Sequence, residues 1–214
     1  MEKINYHQKF LEELEKIKSS KPSLLLHACC GPCSTNIIDS LKERFEITIY
    51  FSNSNIYPSE EYYRRKDELF DFIGAYNHKN NTNIHVVSDA YEPEIFMCQL
   101  GVYGNVKEGG KRCYLCYQLR MEKAYKYANR NNFDYYTTTL SVSPHKNSQW
   151  INQIGEMLAT KNTKWLFSDF KKDNGYQKSC TIASDFNLYR QNYCGCIYSY
   201  EQMLVYKEQK ATEE

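Results

Sequence analysis

A run of three leucines that leads into a cysteine-rich turn constrains this chain more than any other feature. Residues 24–28, Leu-Leu-Leu-His-Ala, predict a short buried strand, and Cys29, Cys30 and Cys33 follow it around a Gly-Pro step. A helix is predicted over 34–44. Nucleotide-binding α/β domains hold phosphate with a strand, a turn of small residues and a helix. Because ionisable thiols replace the expected glycines and serines, an ordinary phosphate loop is disfavoured and a thiol site is predicted.

Strand and helix patterns alternate along the rest of the chain. Apolar or β-branched runs predict further strands at 46–51, 84–88, 135–140 and 165–167. Helical spacing between them favours an α/β fold, a mostly parallel sheet with helices on both faces. Ligands of such sheets bind beyond the carboxyl ends of the strands. We therefore expect one functional edge, formed by the loops that hold Cys29, Asn53, Ser143 and Asp169.

Length and charge narrow the possibilities further. The chain has 214 residues and a formal net charge of +1, so nucleic-acid contacts must come from local basic patches. No Pro-, Gly- or Ser-rich linker interrupts it, which predicts one domain over 1–206 and a polar tail at 207–214. The first 23 residues are charged and lack the apolar core of a signal peptide, and no apolar run approaches the roughly 20 residues of a membrane span. A cytoplasmic protein without membrane contact is expected.

Nine cysteines are many for a cytoplasmic chain, where thiols stay reduced, so clustered ones indicate metal or redox chemistry. Cys113 and Cys116 form a CxxC, a spacing shared by zinc sites, redox pairs and iron–sulfur sites. With Cys29 and Cys30 they offer four thiolates from two segments. No His-x3-5-His pair accompanies them. This favours a 4Fe-4S cluster, with structural zinc as the alternative.

Cys194 and Cys196 are separated by a single glycine. A disulfide between them closes a strained ring, and strained disulfides are labile, so we interpret the two thiols as a redox-active pair. Additional metal ligands are the alternative. Cys33 lies one turn into the predicted helix, and its role is left open. Cys98 and Cys180 have no paired spacing and are predicted to be buried structural thiols.

Asp169 follows a predicted strand and precedes Lys171 and Lys172. A carboxylate at this edge can bind a hard iron or relay a proton, and capping the following helix is the structural alternative. Lys171 and His145 are further candidates for the proton donor. Basic side chains that would form a phosphate-binding surface at the same edge are Arg64, Arg65, Lys66, Lys111, Arg112, Lys146, Lys171, Lys172 and Arg190.

Five ordered motifs between residue 27 and about residue 199 resemble the QueH family of epoxyqueuosine reductases. They are His-Ala-Cys-Cys-Gly-Pro-Cys at 27–33, Gly-Gly-Lys-Arg-Cys-Tyr-Leu-Cys at 109–116, Thr-Thr-Thr-Leu-Ser-Val-Ser-Pro-His-Lys at 137–146, Asp-Phe-Lys-Lys at 169–172 and Leu-Tyr-Arg-Gln-Asn-Tyr-Cys-Gly-Cys at 188–196. Two departures concern loop shape. The family's Asn-Pro-Asn-Ile is Asn-Ser-Asn-Ile at 53–56, and its Ser-Pro-Tyr-Lys has His145.

The resemblance implies the last step of queuosine biosynthesis, in which the epoxide of epoxyqueuosine at the wobble position of tRNA is reduced to queuosine without cobalamin. The implied partners are that tRNA and an electron donor that the sequence does not identify. The implied fold resembles the adenine-nucleotide α-hydrolase (HUP) superfamily, with cysteines in place of the phosphate loop.

Cofactors and site residues are implied as well. The resemblance implies a 4Fe-4S cluster on Cys29, Cys30, Cys113 and Cys116, and a redox-active pair at Cys194 and Cys196. Some members hold an additional iron, for which Asp169 is the candidate oxygen ligand. Two alternatives of other classes are an ATP-dependent tRNA-modifying enzyme of the same fold and a zinc-stapled nucleic-acid-binding module.

Overall fold

Strands and helices alternate along the chain in the computed structural model, which describes residues 4–17, 21–104 and 106–213. The strands are β1 (Ser23–His27), β2 (Glu46–Phe51), β3 (His85–Ser88), β4 (Tyr135–Thr138) and β5 (Lys164–Trp165). The helices are α1 (Tyr6–Lys16), α2 (Gly31–Leu41), α3 (Ser59–Asn80), α4 (Pro93–Leu100), α5 (Lys111–Arg130), α6 (Ser148–Leu158), α7 (Gly175–Asp185) and α8 (Ile197–Glu213). Residues 1–3 and 18–20 of the charged amino-terminal segment lie outside the described residues.

The strands of the described part form one parallel sheet in the order β3-β2-β1-β4-β5. β1 is central, with Leu25 opposite Thr48 of β2 and Tyr136 of β4. The direction of the strand order reverses beside β1, and ligands of doubly wound sheets bind at such a reversal. The predicted α/β class is confirmed, and the cysteine turn after β1 lies at this position.

Successive leucines of β1 pack on opposite faces of the sheet, as the two-residue period of a strand requires. Leu24 and Leu26 belong to an apolar layer with residues of α2 and α3. Leu25 belongs to a second layer with residues of α5 and α6. All three leucines are fully buried. The prediction of helices on both faces is therefore confirmed.

Several boundaries differ from the sequence prediction. β4 ends at Thr138 and does not continue to residue 140, because the chain turns into a 3₁₀ helix at Thr139–Val142 and the Thr138 hydroxyl accepts the Leu140 N–H at 3.2 Å. α7 and α8 are not predicted by the sequence pattern. The polar tail is helical as far as Glu213, as the end of α8. Within the described ranges, none of the helices combines the length and apolarity that crossing a bilayer needs.

Candidate active site

Three helices begin around one cavity of 570 Å³, and each brings thiols to it. The cysteines that line the cavity are Cys29, Cys33, Cys113, Cys116, Cys194 and Cys196. Cys30 adds a seventh thiol, with its Sγ 3.8 Å from that of Cys29. The first turns of α2, α5 and α8 carry free N–H groups, which favour anionic thiolates over neutral thiols.

Cys29, Cys30 and Cys33 form a close thiol triad at the start of α2. Their Sγ atoms lie within 4.8 Å of one another, and no other group of three or more Cys, His, Asp or Glu side chains in the described ranges has the arrangement to hold a metal ion. Cys30 has an extended backbone at the N-cap, which places Cys33 one turn later. Soft sulfur donors of this kind suit iron or zinc. The triad fits a metal cofactor, and Cys33 is the member that the sequence leaves without a role.

Hydrogen bonds within the triad separate the pKa values of its thiols. The pKa of Cys29 lies well below its usual range because Cys30 and Cys33 donate to its sulfur. Burial and the hydrogen bond to Cys29 raise the pKa of Cys30 to about 12. The hydrogen bond between Cys33 and Cys29 raises the pKa of Cys33. The triad therefore presents one thiolate, the form that binds metal.

Polar contacts from the loops after β2 and β4 hold the cysteine turn in place. Asn53 Nδ2 donates to the Ala28 carbonyl at 2.8 Å, and Arg120 Nη2 donates to Asn53 Oδ1 at 2.5 Å. The Cys29 N–H donates to Thr139 Oγ1 at 3.4 Å. Since Ser143 also lines the cavity, the loops that hold Cys29, Asn53 and Ser143 meet as predicted, whereas Asp169 of the fourth loop lines a neighbouring cavity.

His27 lies fully buried behind the turn. Its Nε2 is 3.2 Å from the Ser52 carbonyl, which can only accept, and its Nδ1 is 2.7 Å from Thr138 Oγ1. Burial and the charge of Arg120 lower the pKa of His27 to about 3. The imidazole is therefore neutral, with its proton on Nε2.

Cys113 and Cys116 lie in the first two turns of α5 and line the same cavity. The Gly109 N–H donates to Cys113 Sγ at 3.2 Å. Burial raises the pKa of Cys113, and it raises that of Cys116 to about 12. The two thiols share a cavity with Cys29 but are not members of the triad. Their role as cluster ligands stays a prediction.

Cys194 and Cys196 precede α8 and are both half-buried in the cavity wall. Gly195 has φ +122, a conformation that side chains disfavour, and its N–H donates to Ser199 Oγ at 3.2 Å. Cys196 Sγ donates to the same hydroxyl at 3.4 Å. The turn thus presents both thiols to the cavity, and their redox role stays a prediction.

Buried cations surround the thiols. Arg65, Arg112 and Arg120 are at most 3 % exposed, and among ion pairs of the described residues only Arg65 has a carboxylate partner, Glu61. Arg65 Nη2 and Arg120 Nε are buried, and neither atom has a hydrogen-bond partner among the described residues. Unpaired buried cations are costly, so an anionic group in the cavity would stabilise them. A thiolate-bound metal cofactor supplies such charge.

Asp169 lies in a second cavity, of 690 Å³, and does not line the thiol cavity. Its Oδ1 is 2.5 Å from Lys171 Nζ, so the carboxylate forms an ion pair with that lysine. Its roles as iron ligand and as proton relay stay predictions. His145, by contrast, lines the thiol cavity.

The two remaining cysteines do not match the prediction that both are buried. Cys98 is exposed and Cys180 is half-buried. α4 buries Phe96 and Leu100, which are four residues apart on one side of the helix, so Cys98 lies on the other side. Neither thiol lines the thiol cavity.

Comparison with known proteins gives a consistent set of relatives. The family model described as Epoxyqueuosine reductase QueH matches residues 24–202. Proteins named Epoxyqueuosine reductase QueH include one from Streptococcus pyogenes serotype M1, 39 % identical over 92 % of this chain and 79 % of its own length. Another from Staphylococcus aureus is 37 % identical over 98 % of this chain and 92 % of its own. A third, from Thermotoga maritima, is 30 % identical over 83 % and 90 %.

Among solved structures, the NH3-dependent NAD synthetase from Campylobacter jejuni is similar with a TM-score of 0.42 and 13 % identity, covering 87 % of this chain and 76 % of that one.

Proposed function

The chain belongs to the epoxyqueuosine reductase QueH family, and from this premise we propose that it reduces the epoxide of epoxyqueuosine in tRNA to the alkene of queuosine. The single observation that carries the proposal is the convergence of the triad, the CxxC and the Cys-Gly-Cys pair on one cavity. Its 570 Å³ lies within the range of about 300–1,000 Å³ that small-molecule sites occupy.

The Cys194 and Cys196 pair balances the reaction. Conversion of an epoxide to an alkene consumes two electrons and two protons and releases one water. Oxidation of the Cys194 and Cys196 dithiol to a disulfide releases two electrons and two protons. An external electron donor then restores the dithiol. Each turnover is balanced without a further oxidant or reductant at the site.

We propose further that Cys29, Cys30, Cys113 and Cys116 hold a 4Fe-4S cluster and that the enzyme works without cobalamin. When bound, such a cluster exchanges single electrons. Support comes from the buried and half-buried thiols around one cavity and from the uncompensated charge of Arg120 beside them. Cys33 is close enough to Cys29 and Cys30 to serve as a ligand too. An additional iron on Asp169 stays a prediction.

Lys146 can orient the epoxide oxygen. Although burial opposes its charge, the nearby sulfur groups of Cys194 and Cys29 raise the pKa of Lys146, so the ammonium persists at neutral pH. Lys146 lines the cavity and can donate a hydrogen bond to the oxygen that leaves. Tyr117, Tyr176 and Tyr193 line the same cavity and offer rings on which an extruded base can stack.

Anaerobic reconstitution tests the proposal. Protein loaded with iron and sulfide is incubated with tRNA that carries epoxyqueuosine, and the nucleosides are identified by mass spectrometry. We expect queuosine from the wild type, and from Cys194→Ser an intact cluster spectrum with no product. Cys98→Ser, whose thiol is exposed and outside the cavity, is the matched control and should keep both.

Other outcomes would contradict the proposal. Stoichiometric zinc with no iron would support the zinc-stapled binding module. Product formation that requires ATP would support the nucleotide-dependent enzyme. Loss of the cluster spectrum in Cys194→Ser would make that thiol a metal ligand.

A further inference from the structure

The Asp-Phe-Lys-Lys motif lies in a cavity that the thiol chemistry does not use. This second cavity has a volume of 690 Å³ and is lined by Asp169, Lys171 and Lys172. It shares Pro144 and Tyr176 with the thiol cavity, so the two are direct neighbours. A ligand that fills the thiol cavity and continues beyond it can therefore enter the second one.

The lining of the second cavity suits an anion. The first turns of α1, α6 and α7 border it, through His7, Ser148 and Gln177, and the positive end of each helix dipole favours an anion there. Its one acidic lining group, Asp169, is paired with Lys171, and the lining residue His7 lies 2.8 Å from Asp173.

Among the described residues, Lys172 and Tyr6 each offer the cavity a polar group without a partner. Lys172 is exposed and has no ion pair in the part of the chain that the structure describes. Tyr6 is only 2 % exposed and lines the cavity, yet its hydroxyl oxygen is buried without a hydrogen-bond partner within the described ranges. A buried hydroxyl without a partner beside a free lysine indicates a missing acceptor.

We propose that the second cavity binds a backbone phosphate of the RNA next to the modified nucleotide. The inference rests on the proposed function, since it needs a nucleotide in the thiol cavity. A nucleotide held there stays joined to its neighbours, and the next phosphate must lie close by. Arg190 stands at the boundary, where its Nη2 donates to the Tyr176 hydroxyl at 3.1 Å. It adds a cation on the path between the two cavities.

Salt dependence of RNA binding tests the site. The probe is an anticodon stem-loop RNA with unmodified guanosine at the wobble position, and the variant is Lys172→Gln. Losing one phosphate contact makes the negative slope of log K against log salt shallower by about 0.7 for single-stranded RNA. Lys126→Gln is the matched control, because Lys126 is exposed on α5 and lines neither cavity. An unchanged slope in Lys172→Gln would overturn the proposal.

A neutral linkage identifies the phosphate. Stem-loops are prepared with one methylphosphonate on either side of the wobble nucleotide. We expect one of the two methylphosphonate RNAs to lose as much affinity for the wild type as the unmodified RNA loses for Lys172→Gln. That RNA and Lys172→Gln together should lose no more affinity than either change alone. Additive losses would overturn the proposal. The proposal would also be overturned if inorganic phosphate displaced the RNA and both methylphosphonate stem-loops lost the same affinity. That result would indicate a site for free phosphate.

Nucleoside conversion separates this inference from the proposed function. If wild-type enzyme forms queuosine while Lys172→Gln binds RNA with an unchanged salt slope, only the phosphate site fails. If Lys172→Gln makes the salt slope shallower but the wild-type enzyme forms no queuosine, the reductase proposal fails instead. Tyr6→Phe gives a second variant of the site, and we expect it to weaken RNA binding without changing the salt slope.

Discussion

Arg65 Nη1 donates a hydrogen bond to the main-chain oxygen of Cys194, with an N···O distance of 3.4 Å. The same guanidinium donates from Nε to Glu61 Oε1 at 2.6 Å, and the side chain is 1 % exposed. A buried ion pair on α3 thus supports the turn that carries the Cys-Gly-Cys pair. The contact joins residues 129 positions apart.

Arg65→Met should lower the free energy of unfolding by about 3–5 kcal/mol, because the Glu61 carboxylate loses its partner in a buried site. Urea denaturation measures the effect. Arg64→Met, at an exposed position where the guanidinium stacks on Tyr189, is the control and should change stability by less than about 1 kcal/mol. The double variant Glu61→Gln with Arg65→Met should recover part of the loss. If it does not, the loss comes from packing and not from the unpaired charge.

Gly195→Ala should destabilise the protein by about 1–3 kcal/mol, since Gly195 has φ +122 and an added Cβ would lie 3.0 Å from Arg65 Nη1. Turnover should fall more than metal content, because the change acts on the Cys-Gly-Cys turn. Gly74→Ala is the control: nothing lies within 4 Å of its added Cβ, and α3 should gain about 1 kcal/mol. Equal stability changes in thermal unfolding of the two variants would refute this prediction.

Cys33→Ser should reduce the iron bound per chain, because it removes one of three sulfur atoms that lie within 4.8 Å of one another. Elemental analysis after anaerobic reconstitution measures it. Cys180→Ser is the control, since that thiol is half-buried like Cys33 but does not line the thiol cavity. Wild-type iron content in Cys33→Ser, combined with iron loss in Cys113→Ser, would assign the ligand set to the CxxC and not to Cys33.

Folding stability should decrease as the pH falls from about 6.5 toward 3, and His27 should contribute to the decrease. Its pKa in the folded protein is lowered to about 3, so in this window the unfolded chain binds a proton that the folded chain does not. The contribution is at most about 1.4 kcal/mol per pH unit. His27→Gln should make the curve of unfolding free energy against pH shallower by this amount, as measured by urea titrations between pH 4.5 and 6.5. Parallel curves would show that His27 is charged in the fold.

Local patterns predict much of the fold. The apolar side chains of β1 and β2 predict both strands, because most of them are buried under the helices that cover the sheet. α7 and α8 have weaker patterns. α7 buries only Gly175, Ser179 and Ala183, small residues that an apolar pattern does not reveal.

The site was harder to predict in its details. The thiol groups can be found from their spacing. The parallel sheet predicts the place of the Cys29 turn, which follows β1, but not that of the CxxC or the Cys-Gly-Cys pair, since neither follows a strand. Cys33 belongs to the triad through the i, i+3 spacing of a helix start, a signal that Cys30 and Cys33 carry in the sequence. The buried Arg65 and Arg120 are not predictable in this way, because their contacts with Cys194 and Asn53 join segments far apart in the chain.

The two segments that supply the proposed cluster ligands, at 29–33 and 113–116, meet only in the folded chain. Each alone is a weak chelator, while the fold holds them at high effective concentration. Metal binding and folding are therefore thermodynamically linked: a group that binds only the native state raises its stability by RT ln(1 + [L]/Kd). Loading then acts as a check on tertiary structure, since a chain that has not packed the start of α5 beside the cysteine turn after β1 lacks the full proposed ligand set.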